Sequence, residues 1–306
     1  MRHSLIPERK KAFIAMIICV FLWGFSFISI KIAVSVLPAM TLGALRFAVA
    51  IIVLFVFKIA DDKSAEKRGE TRKFLYVSDI PLLIASSITG VSIYFFFENN
   101  GVKMIGAGEA SIIVGAIPVL SMISEAIVLK SRIVARQWIG VSISIVGVAL
   151  VSGVSISLSG KGLGYIYMAC SVLLWVFYCF LTRPLFATRS PVYIVFWQSF
   201  FGFLGFLPFI LFEKPLLANL TPLIAAHIAF LGIFCSAAAY LLYVYALDIL
   251  GVSVSSLLLN VIPVISVFAA FFLLGERLSG LQWFGSALTI GGVYLASALK
   301  RPKKKS

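Results

Sequence analysis

Few side chains in this sequence could do chemistry, and six ionisable ones fall inside long apolar segments: Lys31, Arg46, Glu98, Glu109, Glu125 and His227. A charged residue at the centre of a membrane-spanning helix costs roughly 2.5–3.5 kcal/mol, so each needs a partner, water or a function. We single out Glu98 as the residue that binds a solute or couples its movement to protons. A structural ion pair of Glu98 with Lys31 or Arg46 is an equally good interpretation. The predicted coupling or structural charges are Glu98, Lys31, Arg46 and Glu125.

The other ionisable residues have more ordinary interpretations. Glu109 lies near the start of its predicted helix, where the helix dipole stabilises a carboxylate. Glu125 lies deeper in the same helix and is predicted to snorkel or to pair with Lys130 or Arg132. His227 lies early in a later helix and is interpreted as an interfacial side chain rather than a ligand.

Aromatic residues recur at helical spacing on the same predicted helices. Trp23 and Phe27 share one helix face, and Tyr94 and Phe97 share another with Glu98. A carboxylate among Trp and Tyr rings can bind an organic cation, or the ammonium group of a zwitterion, through charge and cation–π attraction. Ordinary packing is the alternative for any single aromatic residue. The predicted substrate-binding set is Trp23, Phe27, Tyr94, Phe97, Glu98, Trp175, Tyr178, Tyr240 and Tyr243.

The elements that position these residues are predicted to be membrane-spanning helices. Of the 306 residues, 61% are hydrophobic and 12% are charged, whereas a soluble globule has about 45–50% apolar and about 25% charged residues. The apolar runs are continuous rather than alternating, which favours helices over a β-barrel. At roughly 20 residues per span, the sequence predicts ten helices, at 12–33, 39–58, 79–100, 107–130, 137–153, 163–182, 191–212, 223–247, 252–274 and 280–299.

The formal net charge of +14 indicates how the chain is oriented. If the N-terminus is cytoplasmic, 20 of the 26 Lys and Arg residues fall on the cytoplasmic side, 5 on the other side and Arg46 within a span. This bias predicts a multi-pass protein of the plasma (inner) membrane with both termini in the cytoplasm. The basic tail at Lys303–Lys305 is interpreted as an anchor to anionic lipid, so nucleic acid is not an expected partner.

The chain also contains an internal repeat. Residues 106–152 align without gaps on residues 251–297, with 16 identities in 47 positions, and Pro118 pairs with Pro263. We therefore divide the chain into two five-helix repeats, residues 1–154 and 155–306. Because five is odd, the second repeat begins on the opposite side of the membrane. This predicts an all-α membrane protein with two inverted halves around a central cavity, as in secondary transporters. Pro118 and Pro263 are predicted hinges, with a static kink as the alternative.

Together these features favour a transporter over other membrane proteins. The sequence has two histidines, no HExxH, GxSxG or CxxC motif and no P-loop, so we expect no enzyme activity, metal or cofactor and no ATPase within the chain. A passive solute or ion channel is the alternative, although no repeated filter loop is visible. The expected partners are a small-molecule substrate and the lipid bilayer, and a monomer is sufficient.

Several motifs occur in a characteristic order: Leu22-Trp23-Gly24 and Lys31, then Arg46, then Pro263, Leu274-Gly275-Glu276-Arg277, Gln282, Gly285 and Gly291-Gly292-Val293. With the repeat, they make the sequence resemble the EamA-like family of the drug/metabolite transporter superfamily. The resemblance implies ten helices, cytoplasmic termini, a central cavity, and transport, often export, of small metabolites such as amino acids, purines or cationic drugs. The first half has Leu129-Lys130-Ser131-Arg132 in place of the acidic string, so any role of Glu276 exists only once.

Overall fold

The computed structural model describes residues 5–128, 135–152, 161–213, 220–250, 255, 258–259 and 261–297. Within these ranges the chain forms helices joined by loops. We number the helices α1 (Leu5–Val34), α2 (Ala39–Lys67), α3 (Val77–Ile105), α4 (Ala107–Val114), α5 (Ile117–Val128), α6 (Ala135–Ser152), α7 (Lys161–Ala187), α8 (Pro191–Glu213), α9 (Pro222–Leu250), α10 (Val261–Leu274) and α11 (Gly280–Ser297).

Each of the ten predicted segments contains helix. Six helical stretches are long and apolar enough to cross a membrane: Glu8–Val34, Ala39–Lys67, Val77–Ile105, Lys161–Ala187, Pro191–Glu213 and Pro222–Leu250. Helices α4, α6 and α10 contribute shorter apolar stretches. The all-helical fold class is confirmed over the described residues, and its long apolar helices are those of an integral membrane protein.

The predicted fourth helix is interrupted rather than continuous. Helix α4 ends at Val114, and α5 begins at Ile117. Pro118 is the second residue of α5, and its ring nitrogen cannot donate the hydrogen bond that would join the two segments. In the second half, Pro263 is the third residue of α10, and its Cγ would lie 2.9 Å from a Cβ placed on Gly115. The two prolines therefore border the same helix contact.

Helices α6 and α11 pack closely through small residues. A Cβ placed on Gly147 would lie 2.5 Å from the Thr289 nitrogen, and a Cβ placed on Gly292 would lie 2.5 Å from the Ser144 nitrogen. Small residues allow such approach, which drives helix association inside a bilayer. Gly147 aligns with Gly292 in the repeat, so the same position makes the close contact from both sides.

Three of the described helices contain a π-helical turn, and two of these turns lie about 145 residues apart. Helix α3 contains a π-helical turn at Ile88–Ser92, and α9 contains one at Leu231–Ala238. A π-turn inserts one residue into a helix, disturbs its regular hydrogen bonds and is frequent at functional sites. Gly90 in the first turn and Cys235 in the second are 145 residues apart, which is the offset at which residues 106–152 align on residues 251–297.

Candidate functional site

A small cavity lies where α1, α2, α3, α4, α5, α7, α9 and α10 meet. Its volume is about 30 Å³, which is enough for a water or two. In this conformation an organic solute would need the surrounding helices to move apart. The lining residues are Trp23, Ser26, Phe27, Arg46, Tyr94, Phe95, Glu98, Val114, Ile117, Trp175, Tyr240, Leu259 and Ile262.

Glu98 is the carboxylate of this cavity. It is 5% exposed, and its Oε1 accepts a 2.6 Å hydrogen bond from the Tyr94 hydroxyl one helical turn earlier. Glu98 has no ion pair within 4 Å in the described part of the chain, so neither of the two predicted cationic partners lies against it. The carboxylate is therefore available to a positive group that enters the cavity.

Arg46 supplies the positive charge on another wall. It is 2% exposed, and its Nε donates a 2.8 Å hydrogen bond to the Ser236 hydroxyl in the π-turn of α9. Its guanidinium carbon lies 4.2 Å from the centre of the Phe95 ring, a cation–π contact that offsets part of the cost of burial. The two opposite charges thus line one cavity without forming a direct pair.

The remaining wall is a cluster of aromatic rings centred on Trp175. Its ring centre lies 5.4 Å from that of Trp23, 5.3 Å from Tyr94 and 5.9 Å from Tyr240. Tyr178 and Tyr243 contact Trp175 as well, with ring centres at 5.1 and 5.5 Å. Edge-to-face and tilted contacts of this kind present ring faces and edges that suit both apolar groups and cations.

Two of these aromatic residues also hold the π-turns. The Trp23 indole N–H donates to the carbonyl oxygen of Cys235 at 3.0 Å, and the Tyr240 hydroxyl donates to that of Gly90 at 3.2 Å. Both acceptors are carbonyls within distorted turns. The residues that line the cavity are therefore bonded directly to the distorted segments of α9 and α3.

Two predicted site residues lie elsewhere. The Lys31 Nζ donates to the carbonyls of Val102 and Lys103 at the end of α3, both at 3.0 Å, and so caps that helix. The Phe97 ring is partly exposed and contacts Tyr167, with ring centres 5.4 Å apart. At 100° per residue, Phe97 and Phe95 lie on opposite sides of Tyr94 around the helix. Because Phe95 lines the cavity, the Phe97 ring points away from it.

The other sequence-selected residues occupy these places. Phe27 lines the cavity. Tyr178 donates to the Oε1 of Gln198, whose amide nitrogen donates to the hydroxyls of Ser86 and Thr182, in a fully buried polar network below the aromatic cluster. His227 lies 3.1 Å from the Ser29 hydroxyl. The backbone of Glu125 lies in α5, and its side chain is outside the described residues.

A polar clasp joins the residues that follow α10 to the start of α4. The Glu276 carboxylate accepts 3.1 Å hydrogen bonds from the backbone N–H groups of Ala107 and Gly108, which satisfies unpaired donors of a helix N-terminus. Gly106, at φ +129°, forms the turn that presents these groups. Glu109 accepts from Gln282 at 2.7 Å in the same region. We call this contact of Glu276 with Ala107 and Gly108 the Glu276 clasp.

The opposite end of the helices is held by a second polar cluster. The Arg189 guanidinium donates to the Asp79 carboxylate and lies 3.5 Å from the centre of the Tyr76 ring. The hydrogen bond to Asp79 raises the pKa of Arg189 above its ordinary value. Ser190 donates to Asp61 nearby at 2.7 Å. Hydrogen bonds between residues far apart in the sequence therefore exist near both ends of α3.

Sequence reasoning missed Phe95, Ser236 and the Glu276 clasp. Phe95 could have been found from its position one residue after Tyr94, on the side towards Glu98. Ser236 had no signal, because only the packing of α9 on α2 brings it to Arg46. No group of three or more His, Cys, Asp or Glu residues suited to a metal occurs in the described part of the chain.

Comparison with known proteins gives a consistent result. The sequence model of the EamA-like transporter family matches residues 10–153 and again residues 162–298. A solved crystal structure superposes with a TM-score of 0.65 at 19% identity, covering 94% of this chain and 99% of the other, which shows a shared fold.

Named relatives extend over nearly the whole chain. An "Uncharacterized transporter" of Archaeoglobus fulgidus is 30% identical, covering 93% of this chain and 98% of the relative. A "Probable terminal-alkyne amino-acid exporter" of Streptantibioticus cattleyicolor is 27% identical, covering 94% and 93%. A "Probable amino-acid metabolite efflux pump" of Salmonella typhimurium is 26% identical, covering 94% and 95%.

Proposed function

The chain belongs to the EamA-like transporter family, and from this premise we propose that it is a secondary transporter that exports a small organic metabolite by alternating access. The candidate substrates are an amino acid or an organic cation. Export is supported by two relatives that are named as an exporter and an efflux pump. The observation that carries the proposal is the Glu98 carboxylate, buried without an ion pair among the described residues and facing a cavity of Trp and Tyr rings.

The proposed architecture is ten membrane-spanning helices in two inverted repeats, residues 1–154 and 155–306. Two separate matches to one family model support the duplication. Gly147 of α6 lies against Thr289 and Gly285, whereas Ser144 and Gly140 lie against Gly292. The earlier residues of one helix thus contact the later residues of the other, so these equivalent helices run antiparallel, which supports inversion.

In alternating access the cavity opens to one side of the membrane at a time. The bonds that close each end of the proposed cavity must therefore break in turn. The Glu276 clasp and the Asp79–Arg189 pair lie at opposite ends, so each is suited to close one access route. Pro118 and Pro263 border a helix contact and are proposed as hinges. A passive channel needs a continuous wide pore, and a cavity of about 30 Å³ favours a gated transporter instead.

The proposed setting follows from the sequence. The excess of Lys and Arg on one side supports an inner-membrane protein with both termini in the cytoplasm. The lipid bilayer and the solute are the proposed partners, and one chain contains the whole cavity. Proton coupling is proposed through Glu98, because a carboxylate can exchange a proton for a cationic group.

The proposal is tested with the Glu98→Gln variant in proteoliposomes. We expect this variant to fold but to lose solute-dependent transport, because the amide keeps the shape and the Tyr94 contact but cannot bind a cation by charge. Glu109→Gln is the matched control, since Glu109 lies outside the cavity. Uptake of amino acids and quaternary amines is measured with and without a pH gradient. Wild-type rates in Glu98→Gln would contradict the proposal.

A further inference from the structure

Arg46 is held in the cavity with part of its hydrogen-bonding capacity unused. Its Nε is bonded to Ser236 and its guanidinium carbon lies over the Phe95 ring, and these two contacts hold the guanidinium group in place. Its Nη1 is buried and has no hydrogen-bond partner within the described residues. Buried polar groups normally find partners, so an unpartnered guanidinium nitrogen at a cavity wall calls for a ligand.

Arg46 lies at a close crossing of two helices. A Cβ placed on Gly232 would lie 2.7 Å from the Arg46 carbonyl oxygen, so α9 crosses α2 at this residue. The same crossing brings Ser236, one helical turn later, to the Nε. The guanidinium group is therefore preorganised, and its Nη1 can donate a charge-assisted hydrogen bond to a carboxylate.

We infer that Arg46 is the carboxylate-binding subsite of the transported solute, and that Glu98 binds its ammonium group. The inference rests on the proposed function and selects between its two candidate substrate classes. A zwitterion with an α-amino and an α-carboxyl group satisfies both charges of the cavity, whereas an organic cation would leave Arg46 unpaired. The surrounding rings of Trp23, Trp175 and Tyr240 then favour an apolar side chain.

The charges facing Arg46 are compatible with this assignment. Glu98 also lines the cavity, but the two groups form no ion pair within 4 Å among the described residues. Cys235 and Tyr240 on α9 and Tyr94 on α3 are uncharged at neutral pH. A carboxylate entering the cavity would therefore add the negative charge that the Arg46 wall lacks.

The test compares matched ligands on purified, nanodisc-embedded protein. The twenty common amino acids are screened by isothermal titration calorimetry, and each apolar one is paired with the amine that lacks its carboxylate, for example phenylalanine with phenethylamine. We expect the wild-type protein to bind at least one amino acid about tenfold or more tightly than its amine, the typical effect of losing a charged hydrogen bond. Arg46→Gln should reduce that ratio to near one by weakening the amino acid alone.

Variants separate the two subsites. Arg46→Lys should retain part of the preference, because the charge stays but the guanidinium group held by Ser236 and Phe95 is lost. Glu98→Gln should weaken the amino acid and the amine alike. Lys31→Gln is the control, since it removes an intramembrane charge that caps α3 outside the cavity and should leave the ratio unchanged. The wild-type comparison remains decisive if an Arg46 variant fails to fold.

Two outcomes would count against different claims. If the amines bind wild-type protein as tightly as the amino acids, or if Arg46→Gln weakens both equally, Arg46 is not a carboxylate subsite. Equal binding of the amines by wild-type protein would also make an organic cation the candidate substrate. If wild-type protein neither binds nor transports amino acids or quaternary amines, the proposed function itself fails.

Discussion

Replacing neighbouring glycines of α11 separates close helix packing from helix propensity. A Cβ on Gly292 would lie 2.5 Å from the Ser144 nitrogen and 2.6 Å from the Gly140 oxygen, both of them backbone atoms. A Cβ on Gly291 would have no heavy atom of another element within 4 Å. Gly291→Ala is therefore the matched control for Gly292→Ala, in the same turn of the same helix.

The magnitude follows from two terms. Each change from glycine to alanine in a helix gains about 0.5–1 kcal/mol from backbone entropy, and this term cancels between the variants. Only Gly292→Ala must push α6 and α11 apart, and overpacking of this kind costs about 1–3 kcal/mol. At roughly 2 °C per kcal/mol, we expect Gly292→Ala to melt about 2–6 °C below Gly291→Ala.

The assay is thermal unfolding of the purified variants in one detergent, followed by intrinsic fluorescence. Gly147→Ala provides a second measurement, because its Cβ would lie 2.5 Å from the Thr289 nitrogen and should cost a similar amount. If Gly292→Ala and Gly147→Ala both melt at or above the Gly291→Ala control, the close contact of α6 with α11 does not exist in the folded protein.

Two further predictions concern bonds to backbone groups. Glu276→Gln should weaken the clasp on α4 by about 1–2 kcal/mol, because a charged acceptor at a helix N-terminus becomes neutral, and hydrogen exchange at residues 106–110 should rise about tenfold. The exposed Glu70→Gln should leave that exchange unchanged, and equal rates in both variants would contradict the prediction. Trp23→Phe should raise exchange in the π-turn around Cys235, because a buried carbonyl loses its donor. Trp197→Phe, which removes an indole hydrogen bond outside the cavity, should leave that exchange unchanged. Unchanged exchange around Cys235 in Trp23→Phe would show that the Trp23 hydrogen bond does not hold the π-turn.

The sequence predicted the positions of the helices because apolar length is a local property that survives any arrangement of neighbours. It also selected Trp23, Glu98 and Trp175, since ionisable and aromatic side chains in apolar helices are rare enough to stand out. All three line the cavity. Their substrate-binding role stays a prediction until ligands are measured.

The partners of these residues depended on how the helices pack, which periodicity does not encode. Lys31 of α1 was a candidate partner for Glu98. Its amino group instead donates to helix carbonyls at the end of α3. Phe97 shared a helix face with Tyr94 by spacing, but the cavity lies towards Phe95. Ser236 became a partner of Arg46 only through the crossing at Gly232 and could not be found from the sequence.

Helices α3 and α9, which line the cavity, each contain a π-turn, and the number of residues per helical turn can change at these two places. Restoring α-helical geometry at one of them would rotate the chain beyond it by about 100° and shift it by about 1.5 Å. In α9 this rotation would carry Tyr240 off the cavity wall and release the Gly90 carbonyl in α3. The same two hydrogen bonds that shape the site therefore set the register of both helices, so a ligand that displaces one ring alters the helix opposite.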